Sequence, residues 1–153
     1  MRTRPALAAV LALAAAVLPG GAAGCSGSTC TDTSLAAGPA KASGPSEPLT
    51  LKARLTADGK PVAGARVLFG VSLKGPGSYE GSSDHWATTS ADGVAQVRLP
   101  GGVAALGLSG SRVTGYEVWF QPANPVTGVD YCWSSAKAPL TCGGEACPMR
   151  PAP

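Results

Sequence analysis

The sequence predicts an all-β fold, an antiparallel β-sandwich of about seven short strands, and three observations predict it. Glycine and proline are abundant, 21 and 14 of the 153 residues, and each weakens or breaks the interior of a helix. From Leu49 onward apolar and polar residues alternate with period two, the mark of a strand with one buried face. Turn signals, Asp58-Gly59 and Asp92-Gly93 among them, recur about every ten residues, the spacing of a sandwich. The length suits one domain. The chain has no Ile and a single Asn, Asn124, beside abundant Ala, Gly and Pro. That bias follows from G- and C-rich codons and points to a high-GC bacterium.

Residues 1–24 read as a secretory signal peptide. Arg2 and Arg4 precede an uninterrupted apolar run over residues 6–18, closed by Pro19-Gly20-Gly21, which is the charged, apolar and small-residue order of an export leader. At about 1.5 Å per residue this run spans about 20 Å of a hydrocarbon core about 30 Å thick. It is too short for a transmembrane anchor. Without Arg2 and Arg4 the net charge of +3 falls to +1, so the basic balance belongs to the leader and implies no acidic partner.

Residues 25–47 are dominated by Ser, Thr, Gly, Ala and Pro, with Leu35 as the one large apolar side chain. Such a segment buries too little area to offset its chain entropy and reads as a flexible spacer. Residues 48–135 read as the sandwich. Leu49, Leu51, Ala53 and Leu55 share one face of a first strand, and Val67, Phe69, Val71 and Leu73 one face of a second. Residues 74–83, rich in Gly and Ser, read as an exposed loop. Residues 86–89 and 94–99 flank the Asp92-Gly93 turn as a hairpin. Residues 103–108, 113–121 and 126–134 supply further strands bounded by Gly or Pro. Residues 136–153 read as a Cys- and Pro-rich C-terminal extension.

Two stretches carry a family resemblance. Ala57-Asp58-Gly59-Lys60-Pro61-Val62-Ala63-Gly64-Ala65-Arg66-Val67-Leu68-Phe69 is similar to a "GxPVxGxxVxF" turn and strand. Ala87-Thr88-Thr89-Ser90-Ala91-Asp92-Gly93-Val94-Ala95-Gln96-Val97 is similar to a "TxxDGxAxV" hairpin. Together, over residues 49–99, they resemble the bacterial Ig-like group 1 domains of the invasin and intimin type. They also resemble carboxypeptidase regulatory-like and transthyretin-like modules. Either resemblance implies an Ig-like β-sandwich. A second likeness lies at Ala22-Ala23-Gly24-Cys25, which resembles the lipobox of bacterial lipoproteins with Ala22 where that motif usually has Leu. It implies that Cys25 is lipidated and begins the mature chain. The alternative is ordinary cleavage after Ala23, which releases a soluble secreted protein.

Cysteine parity agrees with the lipidated form. Setting Cys25 aside leaves Cys30, Cys132, Cys142 and Cys147, enough for two disulfides in any of three connectivities. The spacing has no pair of CxxC knuckles for zinc, and an exported chain meets an oxidising compartment.

No constellation points to catalysis, a metal or a cofactor. His85 is the only histidine, beside Asp84, and has no second ligand nearby in sequence. Asp58, Asp92 and Asp130 include two turn residues and no Asp-x-Asp run of the kind calcium favours. Basic residues are dispersed singly, which excludes a nucleic-acid footprint. The candidate binding surface is aromatic: with Val118 and Phe120 inward, Trp119 points outward, where it can join Trp86 or Tyr79 to stack on a sugar ring or anchor a partner. The expectation is a non-catalytic, lipid-anchored module at the outer face of the cell membrane, presenting a binding or spacer surface to an envelope or extracellular protein or glycan. The alternative from another class is a secreted, disulfide-stabilised inhibitor of an extracellular hydrolase that presents the loop at 74–83.

Overall fold

The computed structural model describes residues 29–74, 80–106 and 112–148. The leader, Cys25 and Tyr79 therefore lie outside the described residues. Ten strands occur among those described: β1 (Thr33–Ala37), β2 (Ala40–Ala42), β3 (Leu49–Ala57), β4 (Lys60–Pro61), β5 (Arg66–Lys74), β6 (Glu80–Thr88), β7 (Val94–Leu99), β8 (Arg112–Phe120), β9 (Ser134–Cys142) and β10 (Glu145–Pro148). They form two layers. In the smaller sheet β3 pairs with β1 on one side and with β4 and β7 on the other. The larger runs β2-β9-β10-β8-β5-β6, with β8 also pairing directly with β9. Every pairing is antiparallel except β2 with β9.

Period-two patterning decides which residues enter the core. Leu49, Leu51, Ala53, Leu55 and Ala57 of β3 are buried while their neighbours face solvent. Opposite them lie Val67, Phe69 and Val71 of β5 and Val113, Tyr116, Val118 and Phe120 of β8. Val113 and Tyr116 are three apart, so strict alternation would send them to opposite faces. A register shift opposite Ser72 and Leu73 absorbs one residue of β8 and brings both inward. The Phe69 and Tyr116 rings stack at 6.2 Å in the centre of the sandwich.

The two stretches that carry the family resemblance are clasped together. The Thr89 hydroxyl, the one buried polar side chain described, donates to the Val62 carbonyl at 2.7 Å and accepts from the Ala65 N–H at 2.9 Å. Backbone bonds from Gly64 N to Thr89 O and from Thr89 N to Ala65 O complete the clasp. At the neighbouring turn, Asp58 and Gly59 both take positive φ, as a tight two-residue hairpin between β3 and β4 requires.

Several expectations give way to the structure. The spacer assigned to 25–47 is, over its described part, integral to the sandwich: β1 lies on β3, β2 on β9, and Leu35 and Ala40 are buried. Small residues suffice there because established strands supply both the pairing and the cover. Likewise the extension assigned to 136–153 contains most of β9, whose Ala138 and Leu140 are core residues. The expected hairpin over 86–99 is a corner: residues 90–93 close a tight turn, but β6 then belongs to the larger sheet and β7 to the smaller. The strand expected over 103–108 is, over its described part, the 3₁₀ turn Val103–Leu106. Residues 126–134 contain single bridges, Val126 to Val129 and Thr31 to Tyr131, before β9 begins. Of the loop assigned to 74–83, Lys74 belongs to β5 and residues 80–83 to β6; residues 75–79 lie outside the described residues.

Both disulfides form: Cys30 with Cys132 and Cys142 with Cys147. The first ties the N-terminal entry to the segment before β9. The second closes the β9–β10 hairpin. Two disulfides fit an oxidising, extracellular environment. No helix among the described residues is long and apolar enough to cross a membrane.

Candidate functional site

The outer face of the larger sheet is built by the polar half of the alternation. Cross-strand register places Trp86 of β6, Leu68 of β5, Trp119 of β8 and Ser135 of β9 in one row. The next row holds Asp84, Gly70, Glu117 and Lys137. Strands about 4.8 Å apart put the Trp86 and Trp119 backbones about 10 Å from one another, with Leu68 between. Trp86 is 55% exposed.

Trp119 is half-buried for an identifiable reason. Its ring lies over Gly70, where an added Cβ would stand 2.6 Å from the ring edge. Gly70 therefore provides the seat on which the indole lies flat against the sheet. The charges around it are ordered as well. Glu117 accepts an ion pair from Lys137 at 3.2 Å, and the Arg66 guanidinium stands 4.7 Å over the Trp86 ring. The contact between Arg66 and Trp86 restrains a side chain that would otherwise sample many rotamers. An aromatic row beside a row of carboxylates offers flat apolar contact together with hydrogen-bond acceptors.

Trp86 and Trp119, proposed from sequence as a surface, are thus brought onto one face; Tyr79 lies outside the described residues. Sequence reasoning missed Trp133, which is 57% exposed and continues the exposed parity of β9, two residues before the Trp119 partner Ser135. It also missed Leu68 and Gly70. Their signal was present: an apolar residue on the polar parity of β5, followed two positions later by a glycine within a strand.

His85 is not part of this face. It stands opposite Phe69 in register and is half-buried, with Nε2 3.1 Å from the Ser83 hydroxyl. Its neighbour Asp84 belongs to the outward row, so the carboxylate does not orient the imidazole. Asp58, Asp92 and Asp130 do not converge, and no group of three metal-ligating side chains occurs among the described residues. A depression is lined by Gly44, Pro45, Ser46, Glu47 and Ala104, with Glu47 as its only charged residue.

No family model matches this chain, and no curated protein matches it.

Proposed function

We propose that the chain is an exported, lipid-anchored, non-catalytic module whose outer sheet face binds a glycan of the cell envelope, with Cys25 as the lipid-bearing residue. The observation that carries the reading is the row of Trp86, Leu68 and Trp119 across three adjacent strands. A flat aromatic row stacks on the apolar face of a sugar ring, and the neighbouring Asp84 and Glu117 accept hydrogen bonds from its hydroxyls. The seated Trp119 and restrained Trp86 lose little freedom on binding. Support for export comes from the leader, the lipobox-like Ala22-Ala23-Gly24-Cys25 and the two disulfides. The resemblance of residues 49–99 to bacterial Ig-like group 1 domains supports a module that presents a surface.

The test uses a soluble chain beginning at Thr29, incubated with insoluble envelope polysaccharide and then sedimented. Trp86→Ala is expected to weaken co-sedimentation about tenfold, as truncating a central aromatic anchor does. A face that binds no polysaccharide but captures a defined envelope protein through the same tryptophans would replace glycan by protein. Binding unaffected by Trp86→Ala and Trp119→Ala would end the assignment of this face.

A further inference from the structure

The Cys30–Cys132 disulfide changes how far the domain can stand from its anchor. Cys30 is fixed to the sandwich by that bond, and the next residue is held by Thr31 N donating to Asp130 O at 2.7 Å and Cys132 N donating to Thr31 O at 2.9 Å. Only five residue steps separate Cys25 from Cys30. Whatever its conformation, a trans chain of that length spans at most about 18 Å. A free spacer of about 23 residues would reach roughly 25–30 Å on average and far more when extended.

We infer that the end of the sandwich carrying Cys30 and Cys132 rests directly on the lipid surface, with Trp133 entering the interface. This rests on the proposed lipidation of Cys25. Trp133 follows Cys132 in the chain, and the Cys30 and Cys132 Cα atoms are 5.1 Å apart, so the Trp133 Cα lies within about 9 Å of the Cys30 Cα. Its indole is 57% exposed, and Val129 in the same segment is 37% exposed. An indole, apolar with one N–H donor, is suited to the boundary between headgroups and acyl chains. Charge does not drive the contact. Asp32 and Asp130 are exposed at this end, and the turn after Ala57, which pairs with Thr33, adds Asp58 against Lys60. The adhesion therefore needs no anionic lipid and survives raised salt. The opposite end, with the 143–144 turn and the 43–48 connection, points away from the membrane.

The test is made on the full-length chain, processed in a lipoprotein-producing bacterium and reconstituted in phosphatidylcholine vesicles whose acyl chains carry bromine as a quencher. Quenching of about a third of the tryptophan emission is expected, one residue of the three in the chain. Trp133→Phe is expected to abolish it while leaving the melting temperature unchanged. Inserting about 20 Gly/Ser residues before Thr29, a linker with an r.m.s. reach of about 25 Å, is expected to reduce it severalfold without touching the domain. An acylated chain that is not quenched, or is quenched equally after Trp133→Phe, overturns the inference and leaves the anchor standing. A chain that carries no acyl group on Cys25 by mass spectrometry removes both.

Discussion

The Tyr116 hydroxyl on β8 crosses the sandwich and donates to the Lys52 carbonyl on β3 at 2.9 Å. The same proton is shared with the Gly38 carbonyl, at the point where the N-terminal segment passes from β1 in one sheet to β2 in the other. The Gly38 N–H also bonds the Lys52 carbonyl. One phenol thus joins both sheets and the crossover. The rest of its ring stacks on Phe69 within the core.

Tyr116→Phe keeps the ring and removes this joint, so stability is expected to fall by about 1–2 kcal/mol, read as a lower urea midpoint with an unchanged slope. Burial pushes the Tyr116 hydroxyl above its ordinary value. A raised folded-state value means that its contribution is fully present below pH about 10, where the unfolded tyrosine titrates, and is lost as pH rises through the folded value. The difference in midpoint between wild type and Tyr116→Phe should therefore narrow above pH about 10. A constant difference across that range would contradict the assignment.

The two disulfides should contribute unequally. Cys30–Cys132 closes a separation of 102 residues and Cys142–Cys147 one of 5. Loop-closure entropy assigns about 4–5 kcal/mol to the first and about 2 kcal/mol to the second. Double Cys→Ala variants of each pair, compared by denaturant unfolding, should rank in that order; the reverse ranking would show that strain or residual structure outweighs chain entropy.

Gly70→Ala should unseat Trp119. The new methyl would meet the ring edge at 2.6 Å, and the forced shift should cost about 1–3 kcal/mol and move tryptophan emission to longer wavelength. In a Trp119→Ala background the same substitution should cost much less, and the coupling in the double-mutant cycle measures the seat. Additive effects would mean that the indole does not lie on Gly70.

A chain that starts at Leu49 tests the N-terminal correction. It lacks β1, β2 and the Cys30–Cys132 bond, the last alone worth about 4–5 kcal/mol, a large fraction of the about 5–15 kcal/mol by which domains are stable. Protease resistance and near-ultraviolet circular dichroism should be lost relative to a chain starting at Thr29. If the two chains behave alike, residues 33–42 contribute nothing to the fold.

The elements legible in the sequence were those whose information is local. Alternation placed Leu49, Leu51, Ala53 and Leu55 on the correct face of β3, because the strand period of two needs no knowledge of the partner. The Asp58-Gly59 turn was legible for the same reason: positive φ is a property of the residues themselves. Of the candidate face, the outward direction of Trp119 and the interest of Trp86 could be read. That they share a row with Leu68 could not, because the row is set by register between strands.

What the sequence by itself determined is the β character of the chain, the faces of its clearest strands, and a cysteine set able to close two disulfides. What only the tertiary structure decided is everything that joins distant residues: which cysteines pair, the placement of β6 and β7 in different sheets despite their shared tight turn, and the conversion of an Ala- and Ser-rich segment into β1 and β2. The physical reason is that Thr33–Ala37 and Ala40–Ala42 carry little apolar area of their own. They become strands because β3, β9 and Tyr116, far along the chain, offer them hydrogen bonds and cover at positions already fixed.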